Sequence, residues 1–338
     1  MSIRQLTDAL SRPIRDLRLS VTDRCNFRCA YCMPKELFGD DYAFMPRAEL
    51  LTFEEMSRLV SLFTGLGVQK VRLTGGEPLL RKNLDELVKE IHTIPGVQDI
   101  GLTTNGLLLG QHAEALYHAG LRRLNISLDA LTPSIFGQLN GRGVQPHHIL
   151  HQIDYARSLG YRIKINMVVQ KGVNEDEILP MAEYFRTRGI TLRFIEFMDA
   201  GSGNGWSYEK VVTQAEILQQ LQSRYELVPS KHTIYGEVAN YYRYHGTDTE
   251  VGFITSVSNS FCSSCTRARL SSDGKLYTCL FATSGYDLRQ LLRGGADDEE
   301  LQDIIADIWE HRTDRYSDLR TAHTASSCRR IGMSYIGG

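Results

Sequence analysis

Residues 16–32 read DLRLSVTDRCNFRCAYC, an alternating apolar run followed by three cysteines in the spacing C-x3-C-x2-C. The run Leu17–Val21 predicts a β-strand, and Cys25, Cys29 and Cys32 fall in the loop after it. Three soft thiolates can hold three corners of an iron–sulfur cube and leave the fourth iron open for chemistry. Zinc sites favour four ligands and paired C-x2-C units. The stretch therefore predicts a catalytic iron–sulfur cluster.

Short β-branched runs alternate with amphipathic helical stretches up to about residue 200. The predicted strands are Leu17–Val21, Lys70–Thr74, Asp99–Thr103, Arg123–Leu128, Lys164–Val169 and Thr191–Phe197. The predicted helices between them are Phe53–Leu66, Leu84–Thr93, His112–Ala119, His148–Leu159 and Glu175–Arg188. Six βα units predict an α/β fold with a parallel sheet, and both a doubly wound sheet and a TIM-like barrel fit this pattern. In either fold, ligands bind at the carboxyl ends of the strands, where the first cysteines lie.

The βα rhythm breaks after residue 200. One more helical pattern, Gln214–Tyr225, precedes a tyrosine-rich segment that begins near residue 230. We predict two units from this change in composition. The first is a barrel-like unit over residues 1–229, and the second is a smaller C-terminal unit over residues 230–338.

The charge balance excludes some classes of partner. The chain has 338 residues, with 38 Lys and Arg against 40 Asp and Glu, and its formal net charge is −2. This balance gives no reason to expect nucleic acid or a membrane as a partner, so an anionic ligand must be held by a local group of cations. The N-terminal residues lack the apolar core of a signal peptide, and we expect a cytoplasmic protein with reduced thiols. Seven cysteines in that setting favour metal binding over disulfides.

A second cysteine triplet lies in the C-terminal part, at Cys262, Cys265 and Cys279. An Asp273-Gly274 pair before the last cysteine predicts a β-hairpin turn. Two interpretations are open at this point. One is a structural zinc site completed by a distant histidine or by Cys328, and the other is a second cluster with its own open iron.

Cations inside the predicted strands indicate an anionic ligand. Arg18, Arg72 and Lys164 lie within otherwise apolar runs of a parallel sheet, whose faces are usually both buried. A buried cation costs several kcal/mol unless an anion pairs with it. Each one alone is equally consistent with an ordinary salt bridge. Three together favour a bound polyphosphate, because planar guanidinium groups suit phosphate oxygens.

The motifs together resemble a known family. Cys25-x3-Cys29-x2-Cys32 with Tyr31 resembles the signature of the radical S-adenosylmethionine superfamily. The longer block 16–29 resembles the GTP 3',8-cyclases, which start molybdenum cofactor biosynthesis. The resemblance spans essentially the whole chain and includes the motifs at 74–78, 103–106, 125–130, 193–198 and 261–269 and the terminal Gly337-Gly338. It implies an incomplete, six-unit TIM-like barrel with a smaller C-terminal cluster-binding unit.

The resemblance also implies two cofactors. Cys25, Cys29 and Cys32 would hold a [4Fe–4S] cluster whose open iron takes S-adenosylmethionine, the source of the radical. The family's other contacts to S-adenosylmethionine match the positions of Tyr31, Gly76, Ser127 and Met198. From the residues alone, each of these four could instead be a turn glycine, a packing aromatic, a helix cap or a core methionine. Cys262, Cys265 and Cys279 would hold a second [4Fe–4S] cluster that binds the guanine base.

The resemblance implies GTP as the substrate. The family's substrate-binding positions match Arg18, Arg72, Thr103, Lys164, Arg267, Ala268 and Arg269. The family's Gly-Gly end reaches into the active site, which matches Gly337 and Gly338. The resemblance further implies an external electron donor and a homodimer. We predict no catalytic side chain outside the cluster ligands, and we interpret Cys328 as a structural or free thiol.

Two competing hypotheses follow from the residues. The first keeps radical chemistry but makes the substrate a peptide, as in maturases with an auxiliary iron–sulfur cluster. The cations inside the strands argue against a peptide substrate. The second is a non-enzymatic zinc protein, which stoichiometric zinc without iron or sulfide would identify.

Overall fold

A twelve-stranded β-sheet with helices packed on one face organises the chain. The computed structural model describes residues 6–201, 203–230, 235–321 and 330–337. Its strands are β1 (Asp16–Ser20), β2 (Lys70–Thr74), β3 (Asp99–Thr104), β4 (Arg123–Ser127), β5 (Arg162–Val169), β6 (Thr191–Glu196), β7 (Leu227–Pro229), β8 (Ala239–Tyr244), β9 (Glu250–Ile254), β10 (Arg267–Leu270), β11 (Lys275–Tyr277) and β12 (Tyr286–Asp287). Its longer helices are α1 (Phe53–Gly65), α2 (Leu84–Thr93), α3 (Leu109–His118), α4 (Pro133–Asn140), α5 (Pro146–Ser158), α6 (Ile178–Arg186), α7 (Gln214–Gln222), α8 (Leu288–Arg293) and α9 (Asp298–Glu310), followed by the short α10 (Tyr316–Leu319).

The order of the first six strands distinguishes the two folds that the sequence left open. β1 to β6 lie side by side in chain order, and each pairs in parallel with the next. In a doubly wound sheet, the order of the strands would reverse at a switch point. The observed order is that of a partial TIM barrel, which confirms the predicted fold class.

The C-terminal strands extend both edges of this same sheet. β10 pairs in parallel with β1, and β9 pairs in parallel with β6. The antiparallel strands β11 and β12 follow beyond β10, and β8 and β7 follow beyond β9. The predicted Asp273-Gly274 turn is confirmed, since it joins β10 to β11 and Gly274 has a φ of +83°. Among the described strands, the sheet therefore ends at β12 and β7 without closing on itself.

The helices bury their apolar sides against the outer face of the sheet. A capping box of Thr52 and Glu55 begins α1, where each side chain accepts a hydrogen bond from the other's main-chain N–H. Among the described residues, the α-helices α4, α8, α9, α10 and the short helix Met333–Ile336 were not predicted. The longest of them, α9, packs on α1, and Arg58 joins the two through Asp298 at 2.7 Å. Within the described ranges, every helix is too short or too polar to cross a bilayer.

The two faces of the barrel strands differ in chemistry because side chains alternate along a strand. In β1, Leu17 and Leu19 belong to the core between sheet and helices, whereas Arg18 lies on the inner face. Register places Arg18 opposite Arg72 on one neighbouring strand and opposite Arg269 on the other. The inner face of the sheet therefore carries cations at adjacent positions.

Candidate active site

A cavity of about 800 Å³ lies at the inner face of the sheet. All six cysteines of the two triplets line it, together with every predicted cofactor- and substrate-binding residue except Ala268. The fully buried side chain of Ala268 lies in the core on the opposite face of β10. The fold therefore brings together two groups of thiols that lie more than 200 residues apart in the chain.

The first triplet lies in the loop after β1. The buried Arg28 organises this loop, because its guanidinium donates to the carbonyls of Cys25 (2.8 Å), Phe27 (2.8 Å) and Phe38 (2.6 Å). Burial raises the pKa of Cys25 to about 11 and that of Cys32 to about 12. A neutral thiol in such a place becomes a thiolate when a metal cation binds it. Three buried soft donors in one loop fit an iron–sulfur cluster.

The Gly75-Gly76 pair packs tightly on the loop that leads into the first triplet. A Cβ on Gly76 would collide with the carbonyl of Arg24, and Gly75 has a φ of +148°. Glu77 follows, and its buried carboxylate accepts from the Thr104 hydroxyl (2.7 Å) and the Asn105 N–H (2.7 Å). Burial raises the pKa of Glu77 to about 7. The glycines therefore allow close packing of two loops beside the cysteines.

A tyrosine–aspartate pair lies beside the first triplet. The Tyr31 hydroxyl donates to Asp129 at 2.8 Å, and the N–H of Val168 donates to the other oxygen of the same carboxylate at 2.8 Å. Burial raises the pKa of Asp129 to about 6. Tyr31 is thereby held by the loop after β4, and Ser127 and Met198 also line the cavity.

Cations crowd the inner wall between the two triplets. Burial lowers the pKa of Arg18, and the neighbouring charges of Arg269 and Arg267 lower it further. Burial also lowers the pKa of Arg72, with Arg18 as the next contribution. Like charges held this close in a poorly solvated wall are stabilised by a multiply charged anion. Thr103, also on the inner face, lines the same cavity.

Lys164 has a partly polar setting on β5. Its Nζ donates to the Tyr241 hydroxyl at 2.8 Å and lies 4.0 Å from Glu237. Burial lowers the pKa of Lys164 to about 8, and the charge of Arg193 contributes to the decrease. This amine therefore changes its charge close to neutral pH.

Arg193 is a functional candidate that the sequence analysis missed. It lines the cavity from β6 and donates to the side-chain oxygens of Asn166 (2.9 Å) and Asn125 (2.6 Å). It lies within an apolar run in the same way as Arg18. Arg193 was therefore predictable from the sequence in the same way as Arg18, as a cation within an apolar strand.

The second triplet differs from the first because one of its thiols faces two cations. Nη2 of Arg267 and Nη2 of Arg312 each lie 3.1 Å from the Sγ of Cys265. Burial opposes ionisation of Cys265, but these two guanidinium groups outweigh it and lower its pKa to about 7. Burial raises the pKa of Cys279 to about 11. This donor set also fits an iron–sulfur cluster.

No three His, Cys, Asp or Glu side chains in the described ranges are arranged to hold one metal ion. The assignment of clusters therefore rests on donor chemistry and on the shared cavity.

The C-terminal segment reaches the cavity wall. Asp199, just after β6, accepts from Arg320 (2.9 Å) and from Arg330 (2.9 Å), and Tyr335 donates to Asp273 at 2.6 Å. Beyond these anchors, the carbonyl of Gly337 accepts a hydrogen bond from Arg269. Gly338 and Cys328 lie outside the described residues.

Comparison with known proteins gives this site a family. The sequence profile of the Radical SAM superfamily matches residues 19–185, and that of Molybdenum Cofactor Synthesis C matches residues 190–318. A protein of Staphylococcus epidermidis named GTP 3',8-cyclase is 56% identical over 336 residues, which cover 98% of this chain and 99% of that protein. The protein of the same name from Staphylococcus aureus is 55% identical over 339 residues, 99% of this chain and 100% of that protein. This chain belongs to the GTP 3',8-cyclase family.

Solved structures support the fold of this GTP 3',8-cyclase family member. Streptococcus suis SuiB bound to S-adenosylmethionine has a TM-score of 0.60 at 16% identity, over 86% of this chain and 67% of that one. SuiB bound to its precursor peptide SuiA has a TM-score of 0.59 at 16% identity, over 94% of this chain and 68% of that one. At this identity the likeness shows the fold alone. Membership of the radical S-adenosylmethionine superfamily implies one [4Fe–4S] cluster and S-adenosylmethionine.

Proposed function

We propose that this chain converts GTP to (8S)-3',8-cyclo-7,8-dihydroguanosine 5'-triphosphate, the first step of molybdenum cofactor biosynthesis. One observation carries the proposal: two cysteine triplets and a wall of cations line the same cavity of about 800 Å³. Such a cavity can hold the radical source, the phosphates and the base of one nucleotide at once. The family to which the chain belongs supports the same reaction.

The first triplet is the proposed site of the superfamily's cluster. Cys25, Cys29 and Cys32 would supply three thiolates, and the cluster with S-adenosylmethionine supplies one-electron chemistry that starts a radical reaction. Tyr31, Gly76, Ser127 and Met198 are the proposed contacts to S-adenosylmethionine, and all four line the cavity. The hydrogen bond from Tyr31 to Asp129 fixes the tyrosine ring in the wall.

The cationic wall is the proposed site of the triphosphate. Arg18, Arg72, Thr103 and Lys164 lie on the barrel strands β1, β2, β3 and β5, and Arg267 and Arg269 continue this face on β10. Guanidinium groups bind phosphate oxygens with paired hydrogen bonds. Ala268 remains in the proposal only through its main chain, since its side chain lies in the core.

The second triplet is the proposed site of a second [4Fe–4S] cluster that binds the guanine base. The cavity is lined beside Arg267 by Cys262, Cys265 and Cys279. A guanine base held there would lie next to cations that suit the phosphates of the same nucleotide. The C-terminal Gly337-Gly338 would close the same side, because Gly337 already contacts Arg269.

The remaining proposals extend beyond the cavity. We expect an external electron donor, a homodimer, a cytoplasmic location, and a functional division near residue 230. These follow from the family resemblance and from the change in composition. Sedimentation of the reconstituted protein tests the dimer.

The deciding experiment is an anoxic assay of the reconstituted protein with a reductant, S-adenosylmethionine and GTP. We expect the cyclised triphosphate, identified by mass spectrometry, together with methionine and 5'-deoxyadenosine from the consumed S-adenosylmethionine. ATP in place of GTP is the matched control and should give no cyclised product. Turnover of a peptide with no product from GTP would show that the chain is a peptide-modifying maturase.

A further inference from the structure

A buried charge cluster lies directly behind the Cys262–Cys265 pair. It consists of Asp8, Arg12 and Arg312, whose side chains are at most 1% exposed. One oxygen of Asp8 accepts from Nε of Arg12 at 2.6 Å and from Nη1 of Arg312 at 3.3 Å. The three residues come from opposite ends of the chain. Burial of three charges costs free energy, which only their pairing and hydrogen bonds can offset.

The cluster contacts the cysteine pair at its main chain. Arg12 donates to the carbonyl of Cys262 at 2.8 Å, and Arg312 donates to the carbonyl of Cys265 at 2.8 Å. Arg12 also donates to the carbonyl of Asp314 at 2.8 Å. These bonds hold the turn that carries both thiols, so they set where each sulfur points.

Arg312 also contacts one thiol directly. Its Nη2 lies 3.1 Å from the Sγ of Cys265, and its guanidinium stacks over the Trp309 ring at 4.5 Å. Its Nε lies 3.4 Å from Asp314, a carboxylate that is 30% exposed. The two buried guanidinium groups face one buried carboxylate, Asp8, and one partly exposed carboxylate, Asp314, while Nη2 of Arg312 is directed at the sulfur.

We propose that Arg312 is a positioning residue for the second cluster and that its hydrogen bond to Cys265 raises the reduction potential of that cluster. The inference rests on the proposed function, which places a cluster on Cys262, Cys265 and Cys279. Reduction adds negative charge to a cluster, and a donor at a ligand sulfur stabilises the more negative state. Asp8 and Trp309 fix the guanidinium so that the donor stays aimed at the sulfur.

Arg267 makes a similar contact with Cys265 but cannot separate the two roles. It lines the cavity and is proposed to bind GTP, so its removal would change substrate binding as well. Arg312 also lines the cavity, but its guanidinium is held by Asp8 and Trp309, and its effect on the metal centre can be measured in the absence of substrate.

The test uses a background in which Cys25, Cys29 and Cys32 are replaced by Ser, so that only the second triplet can hold a cluster. Arg312→Gln and Arg312→Lys are compared in this background after anoxic reconstitution. Iron content and a redox titration followed by electron paramagnetic resonance are measured. Arg58→Gln is the control, because Arg58 pairs with Asp298 between α1 and α9, away from the cysteines.

We expect Arg312→Gln to shift the midpoint potential of the second cluster to more negative values, while Arg58→Gln leaves it unchanged. Arg312→Lys should shift the potential less than Arg312→Gln does, because lysine keeps the charge but loses the planar fork. Loss of the cluster in Arg312→Gln with retention in Arg312→Lys supports the positioning role. An unchanged potential in Arg312→Gln overturns the inference, as does unfolding of both variants, since the role would then be structural. If the background protein itself binds no iron, the second cluster of the proposed function is contradicted. This outcome is distinct from an unchanged potential, which contradicts only the role of Arg312.

Discussion

Single cations within the strands form the cationic wall of the cavity, the proposed triphosphate site. Arg18 and Arg269 lie opposite each other in register on β1 and β10, and both face the cavity. Burial and neighbouring cations lower the pKa of Arg18, and burial lowers that of Arg269 to about 10. The wall therefore holds several cations close together, in an arrangement that suits a multiply charged anion.

Replacement of Arg267 or Arg269 by Ala should reduce kcat/KM for GTP by roughly 10- to 100-fold, since a hydrogen bond to a charged group contributes about 1.5–3 kcal/mol. Binding of S-adenosylmethionine should change little, because both arginines belong to the proposed triphosphate site and not to the proposed S-adenosylmethionine contacts. Steady-state kinetics and equilibrium dialysis measure the two effects. Arg142→Ala, at an exposed ion pair with Asp40, is the control. Equal loss of S-adenosylmethionine binding would show that the arginines do not serve the substrate.

Lys164 should make GTP binding depend on pH. Its pKa is about 8 in the folded chain because burial disfavours the charged form. The ammonium is present below this pH and lost above it, so affinity for GTP should fall about tenfold between pH 7 and pH 9. Fluorescence titration with a GTP analogue under anoxia measures this. Lys164→Arg keeps its charge and should remove most of the dependence; a variant with the same pH profile would assign it to another group.

At the level of elements, the loops at the carboxyl ends of the strands build the site, and the C-terminal segment completes it. Asp199, just after β6, accepts hydrogen bonds from Arg320 and Arg330. These bonds anchor the segment that leads to Gly337. A Cβ on Gly337 would collide with Thr74, and its φ is +74°. A residue without a side chain is required for this close approach.

Deletion of Gly337 and Gly338 should abolish product formation and leave both clusters and the fold intact. The removed residues carry no side chains and contribute little apolar burial, whereas Gly337 contacts the proposed substrate residue Arg269. Product assay, iron content and thermal unfolding measure the three effects. Ser334→Ala, in the same segment, is the control. Full activity of the truncated chain would exclude a role for the tail in the cavity.

The whole molecule places two thiol triplets in one cavity, and the two should be separable. Replacement of Cys25, Cys29 and Cys32 by Ser should leave about four irons per chain and retained GTP binding, but no cleavage of S-adenosylmethionine. The matched replacement of Cys262, Cys265 and Cys279 should leave about four irons and retained cleavage, but no cyclised product. Loss of all iron in either variant would contradict two independent clusters.

Local signals were sufficient for much of the fold. The six strands of the barrel were predicted within two residues, because period-2 alternation and β-branched runs act within a short window. The capping box of α1 likewise depends on two residues only three positions apart. The helices α8 and α9 were missed, although Asp287 and Asp297 accept the N-cap hydrogen bonds that begin them.

The amino-acid sequence determined the type of donor and cation at each position, and the alternation along β1 and β2 determined that Arg18 and Arg72 share a face. The meeting of distant groups depended on tertiary pairing. β10 pairs with β1 across about 250 residues of chain, which places Arg269 beside Arg18 and Cys265 at the cavity of Cys25. No local periodicity encodes such a pairing, because its register is selected by packing of the whole sheet. The cysteine triplet at Cys25, Cys29 and Cys32 was evident from residues 16–32, but the cationic wall of its cavity is formed only in the folded chain.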